Sequence, residues 1–360
     1  MTNAAFYAQK LMANHQLVDG QIVLELDGLR IGVRSNTSAL LEKLGMYFSH
    51  VLGAGPADLE VLALQSAAMD LGVEFVDWHR EPGKTGRKDT YVNLADGRLH
   101  RKARTGMIFL QSDQHRIAVG PCLENDNQVI NFINALYMSH LQQDGALICH
   151  ASGLTMNWQC LGMAGLSGGG KSTLMLHMLA HQGVRYLTND RLFLKREADE
   201  VRAIGIPKLP RINPGTIVHN ETLLPLLSEQ RRKELLALPQ QELWALEEKY
   251  DVDVQDIYGD DKFASNAVLA AFLILNWSLD STEPCTIEQV DLSARRELLG
   301  AIMKSPGPFY QLKDGSFYGD ENELVPSTYL EMLEGVPIFE ARGAVDFEQA
   351  VRFGLDQLKD

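Results

Sequence analysis

Apolar and polar positions alternate with period two through most of the first hundred and twenty residues. Residues 22–26 and 30–33 alternate on either side of Asp27-Gly28, a pair suited to the positive φ angles of a tight hairpin turn. Residues 91–94 and 99–102 repeat the pattern across Asp96-Gly97, and 107–110 with 116–119 form a third pair. Further strands are predicted at 59–64 and 74–78. Apolar residues at helical spacing predict helices at 37–50 and 127–141, the second with Val129, Ile130, Phe132, Ile133, Leu136, Tyr137 and Leu141 on one stripe.

The texture changes near residue 145. Short apolar runs at 146–149 and 158–164 read as buried strands, and the second leads straight into a glycine-rich turn. A helix is predicted at 173–181, strands at 185–188, 192–195 and 201–206, and a charged helix at 228–248 interrupted near Pro239. An acidic loop at 250–261 precedes a core strand at 268–277. The pattern predicts a β-rich α+β domain over residues 1–143 and an α/β domain over 144–360.

Composition narrows the classes. The 45% hydrophobic and 22% charged content is that of an ordinary globular chain. Its net charge of −14 disfavours nucleic acid and anionic lipid as partners. No charged-then-apolar leader and no membrane-length apolar run is visible, which predicts a cytoplasmic protein. Cys149 and Cys160 lie in apolar runs and read as buried thiols. Residues 79–104 are locally basic, and on exposed hairpins such a patch could dock an acidic partner.

The strongest chemical signal is the run Gly165, Leu166, Ser167, Gly168, Gly169, Gly170, Lys171, Ser172 and Thr173, which satisfies G-x4-G-K-[ST] between a strand and a helix. Glycines let backbone N–H groups wrap a phosphate, and the free N–H groups of the following helix add to the cradle. Lys171 supplies positive charge to the β- and γ-phosphates. The Ser172 hydroxyl suits Mg²⁺, a hard cation that prefers oxygen. Asp190 ends an apolar strand 19 positions after Lys171, and the intervening helix takes most of that length. The strand is therefore expected beside the phosphate-loop strand, with Asp190 at the phosphates as a metal ligand. Mg²⁺ and ATP are the implied cofactor and nucleotide.

The order His150, strand, GLSGGGKST, then GVRYLTND (183–190) and EVRAIGI (200–206) resembles the HPr kinase/phosphorylase family, and within it the HPr kinase-related kinase B-like group. The resemblance covers roughly residues 145–215. It implies a P-loop fold of the HPr kinase/phosphoenolpyruvate carboxykinase type, ATP-dependent transfer to a protein serine, and an assembly of several copies. It implies roles for His150 as an active-site histidine, for Asp190 as the second of an acidic pair, and for Glu200, Arg202 and Gly205 as the Glu-x-Arg-Gly-x-Gly element, with Ala203 in place of one glycine. Asn189 stands where the family has its first acid, and an amide cannot accept the acceptor's proton. Either His150 or Glu200 takes that role, or positioning alone suffices, or transfer is slow. Lys208 and Arg211 follow a strand that ends near the site and are candidates for contacting the transferring phosphoryl or the acceptor. His177 and His181 lie one helical turn apart and read as a solvated face. Two rivals stand beside the protein kinase: a small-molecule kinase, and a switch that binds ATP without transferring phosphate.

Overall fold

The computed structural model describes residues 3–79, 87–165, 169–246 and 248–359. The fold is mixed α/β with several sheets. It divides into two compact units, Met1–Asp144 with Pro306–Glu323, and Gly145–Ser305 with Leu324–Asp360. A single cut at residue 143 does not describe this division, because residues 306–323 leave the second half of the chain and pack in the first unit.

The first unit is built on an eight-stranded sheet in the order β1-β2-β3-β8-β7-β6-β5-β4. Its strands are β1 (Ile22–Leu26), β2 (Leu29–Ser35), β3 (Leu59–Gln65), β4 (Val76–Asp77), β5 (Asp89–Asn93), β6 (Gly97–Lys102), β7 (Ile108–Ser112) and β8 (Arg116–Gly120). The three sequence-predicted hairpins are all present as antiparallel pairs. Asp27 and Gly28 both take positive φ, as the first turn requires. The strand expected at 74–78 shrinks to two residues at the sheet edge. Helix α1 (Ala4–Met12) covers one face with Ala4, Tyr7, Ala8 and Leu11 against Ile108, Leu110 and Val119. Phe109, between two of those strand residues, points the other way by the period of two. It meets Phe132 of α3 (Asp126–Gln143) and Phe309 of the returning segment.

Arg98 anchors that segment. Its side chain is buried and donates to Asn93 Oδ1 and to the carbonyls of Pro308 (2.9 Å) and Tyr318 (3.0 Å). The guanidinium also lies over the rings of Tyr91 and Phe317. Lys102 pairs with Asp89 and Arg87 with Asp77. Within the described part of the basic stretch, Arg98 and Lys102 thus turn into the sheet, while Arg87, Lys88 and Arg104 stay exposed. Arg80, Glu81 and Lys84 lie outside the described residues.

The second unit has a nine-stranded sheet. Its strands are β9 (Leu147–Cys149), β10 (Ala151–Met156), β11 (Gln159–Gly165), β12 (Arg185–Thr188), β13 (Leu192–Glu197), β14 (Glu200–Ile204), β15 (Asn266–Leu275), β16 (Thr286–Gln289) and β17 (Ile338–Arg342). The main path runs β12-β10-β11-β15-β14-β13-β9, with β17 on the carboxyl half of β15 and β16 outside it. Along β15, Ala271, Leu273 and Leu275 face one core while Phe272 and Ile274 face the other. Helix α4 (Lys171–Leu179) lies on the first face, and its fully buried Leu174, Leu176 and Met178 contribute roughly 1.5–3 kcal/mol each.

One strand expectation is corrected. β12 does not neighbour β11, because β10 lies between them and pairs antiparallel with both. Two antiparallel steps leave β11 and β12 pointing the same way, so their carboxyl ends share one edge of the sheet. The helix predicted at 228–248 is present and broken at Pro239 as expected, as Glu229–Leu236 and Gln240–Ala245, whereas the stretch 250–261, expected as a loop, holds a short helix at Val254–Tyr258. No described helix is long and apolar enough to cross a membrane.

Candidate functional site

β11 ends at Gly165 and α4 begins at Lys171. Leu166, Ser167 and Gly168 lie outside the described residues. Gly170 has φ +83°, and a Cβ there would stand 2.8 Å from the Phe347 ring, so conformation and space both require glycine. It also leaves α4 without a side-chain cap. The first intrahelical bond runs from Leu174 N–H to the Gly170 carbonyl. The N–H groups of Lys171, Ser172 and Thr173 therefore have no partner within the helix, and the positive end of its dipole faces the turn.

Lys171 is partly buried. Its Nζ lies 3.3 Å from the Gly165 carbonyl and 3.3 Å from His150 Nε2. Burial lowers its pKa, nearby Lys304 lowers it further, and Asp190 partly offsets both. The Ser172 hydroxyl donates to Asn189 Oδ1 at 2.9 Å, and the Ser152 hydroxyl donates to the Asn189 carbonyl at 2.5 Å. The Asn189 amide thus lies directly against the Ser172 hydroxyl, held there from β10.

Asp190 sits just past β12, beside a histidine and two cations. His150 Nε2 is 3.2 Å from Oδ1, Lys304 Nζ is 3.2 Å from Oδ2, and Arg191 Nε is 3.9 Å from Oδ2. Burial pushes the carboxyl up. The His150 hydrogen bond and the Lys304 and Arg191 charges outweigh it and hold the group well below the usual carboxylate range. His150, Lys171, Ser172, Asn189 and Asp190 thus form one connected cluster.

The cluster borders a cavity of about 760 Å³. Gly169, Gly170, Lys171, Ser172 and Thr173 line one side, with Asn189 and Asp190 beside them. The connection after β14 forms another wall with Lys208, Arg211 and Thr216, and Thr216 Oγ1 is 3.1 Å from Thr173 Oγ1. Arg211 Nε pairs with Asp251 at 2.9 Å. Trp277 and Phe347 close a third side, edge to face at 5.3 Å. The Trp277 Nε1–H donates to the Gly169 carbonyl at 2.9 Å.

Not every predicted residue is brought here. Glu200 is exposed at the start of β14, paired with Glu197 across the β13–β14 turn, while the cavity begins at Ile206 beyond the other end of that strand. The structure therefore leaves only His150 and Asp190 as candidate proton-handling groups among the predicted residues. Arg202 pairs with Glu197 on the same hairpin. Gly205 has a packing reason of its own, since a Cβ there would fall 2.1 Å from the Leu187 carbonyl oxygen. His177, read as part of a solvated face, instead turns into the cavity edge-on to Phe347, and burial lowers its pKa. His181 is exposed. Cys149 and Cys160 are fully buried, and burial raises both thiols.

Sequence reasoning did not find Arg191, Lys304, Trp277 or Phe347. Arg191 adjoins Asp190 and was within reach of it. Lys304 comes from a segment more than a hundred residues away, and no local pattern marks it.

No family model matches the chain, and no curated protein matches it. Among solved structures, an HPr(Ser) kinase/phosphatase from Coxiella burnetii shows a distant structural similarity. It is 12% identical, covers 59% of this chain and 87% of its own, and has a TM-score of 0.27. At that score the two backbones diverge too far to transfer residue roles, and the function is argued from the cavity itself.

Proposed function

We propose that the cavity binds a nucleoside triphosphate with Mg²⁺ and transfers its γ-phosphoryl to a hydroxyl. One observation carries this reading: Lys171, Ser172, the uncapped N-terminus of α4 and Asp190 converge on one cavity at the carboxyl ends of β11 and β12. An uncapped helix start, a buried lysine and a hydroxyl in that arrangement suit the β- and γ-phosphates.

Ser172 Oγ, Asn189 Oδ1 and the Asp190 carboxylate offer a metal three oxygens. The described residues contain no group of three or more His, Cys, Asp or Glu side chains able to hold a cation by themselves. The donor set therefore fits Mg²⁺ carried in by the nucleotide, where phosphates and water complete the shell, and not a free-standing metal centre. When bound, the ion would offset the charge of the phosphates.

In the transfer, the acceptor oxygen forms a bond to the γ-phosphorus as the bond to the β,γ-bridging oxygen breaks, and the diphosphate leaves with that electron pair. Lys171 and the α4 N–H groups offset charge on the phosphates. Asp190, held ionised by its cationic neighbours, is a weak base. It serves because a loose transition state releases the acceptor's proton late, once bonding to phosphorus has made the hydroxyl acidic. His150, in contact with both Asp190 and Lys171, orients the carboxylate. The HPr kinase resemblance of residues 145–215 supports the same chemistry.

The second reading is a nucleotide-responsive switch with little transfer. Asn189 against Ser172, with one carboxylate lining the cavity among the described residues, favours it. Incubation with γ-labelled ATP, Mg²⁺ and cell extract separates the two. Transfer that disappears in Lys171→Met supports the kinase. Tight nucleotide binding with no labelled product supports the switch.

A further inference from the structure

Five cationic side chains but a single carboxylate line the cavity among the described residues, in a chain whose net charge is −14. A magnesium-bound triphosphate engages Lys171 and the start of α4. Beside these, Lys208, Arg191 and Arg211 converge on the wall formed by the β12–β13 turn and the connection after β14. Among the described residues the Asp190 and Asp251 carboxylates face them, and Asp190 also meets His150 and Lys304. Burial, with Arg191 and Arg211 adding to it against Asp190 and Asp251, brings the Lys208 ammonium down to about 8. Crowded, half-buried cations of one sign are costly to hold in a fold unless an anion joins them.

The wall also has a fixed place. The Thr173–Thr216 contact sets it against the first turn of α4, and the Tyr186 hydroxyl donates to the Lys208 carbonyl at 2.6 Å. The cluster therefore stands beside the phosphate cradle without being part of it.

We propose that Lys208, Arg191 and Arg211 form a second anion subsite that takes the carboxylate or phosphate of a small hydroxylated acceptor, placing its hydroxyl toward the transferring phosphoryl. This rests on the nucleotide reading above and specifies its acceptor: a small anionic alcohol, in place of the protein serine that the family resemblance implies. Planar guanidinium groups grip either anion in bidentate fashion, and a lysine adds charge without directional demand.

The test first fills the cradle with Mg²⁺ and the β,γ-imido analogue of ATP. Inorganic phosphate, glycerate and uncharged glycerol are then titrated in separate calorimetric runs. Phosphate, glycerate or both should bind the loaded protein while glycerol does not, and the stronger of the two identifies the anionic group. Lys208→Met and Arg211→Gln should each weaken that binding about tenfold or more, with nucleotide affinity changed by less than about threefold. Circular dichroism of both variants checks that each is folded, and either folded variant suffices. If neither anion binds the loaded protein, if glycerol binds as well as they do, or if folded variants bind as the parent does, the subsite is wrong while the nucleotide site stands. If the analogue itself does not bind, the nucleotide reading fails and the subsite falls with it.

Discussion

Asn189 is the residue on which the site's chemistry turns. Its amide oxygen accepts from Ser172 where an acid would add negative charge beside the proposed metal position. Asn189→Asp keeps the size and the hydrogen bond but adds a carboxylate. The Mg²⁺ concentration needed for half-maximal nucleotide binding should fall about three- to tenfold, readable by titrating the metal at fixed nucleotide. Lys208 makes a second residue-scale prediction. Its folded pKa is about 8, and an unperturbed lysine titrates at about 10.4. Between those values the unfolded chain binds the proton and the folded one does not, so this group makes stability rise with pH across that window. Arg191, Arg211, Asp190 and Asp251 face it. The melting temperature followed from pH 7.5 to pH 10 should lose part of that rise in Lys208→Met. An unchanged profile would show that the ammonium is not desolvated.

Elements place these groups, and two close approaches make that placement testable. β14 leaves the sheet past Leu187 with no room for a Cβ at Gly205. Gly205→Ala should destabilise the protein by roughly 2–4 kcal/mol, read from denaturant unfolding. Trp277 holds the Gly169 carbonyl and so fixes that peptide within the turn from β11 into α4. Trp277→Phe keeps the ring packing on Phe347 and removes one hydrogen bond worth about 1 kcal/mol, so nucleotide affinity should fall about three- to tenfold with little change in melting. Hairpins and helices of this kind were legible in the sequence because each carries a local rule: period two with Asp-Gly turns, or period 3.6. The glycine-rich run between strand and helix was legible for the same reason. β10 was not, because Ala151-Ser152-Gly153-Leu154-Thr155 is buried with no alternation of apolar and polar residues. Its omission is what put β12 beside β11. Lys304 and Trp277 reach the site through tertiary packing, which leaves no periodic trace.

At the scale of the molecule, the return of residues 306–323 to the first unit has consequences for how the chain can be divided. Phe309 stacks on His100 at 3.8 Å, and Arg98 binds two carbonyls of the segment. A fragment ending at residue 144 would leave Arg98 and His100 facing water or nothing. It should fold poorly alone and gain a cooperative melting transition when a peptide of residues 306–323 is added. Arg98→Met in the full chain strands the Pro308 and Tyr318 carbonyls and should cost roughly 2–4 kcal/mol in chemical denaturation.

The central claim is that the turn from β11 into α4 holds the polyphosphate of a nucleotide. Isothermal titration of the full chain with ATP and Mg²⁺, alongside Lys171→Met, addresses it most directly. The account predicts saturable binding of one nucleotide per chain, weakened about tenfold to a hundredfold in the variant as a charge-assisted contact is removed. No binding to the parent protein, or equal affinity in the two, would contradict it.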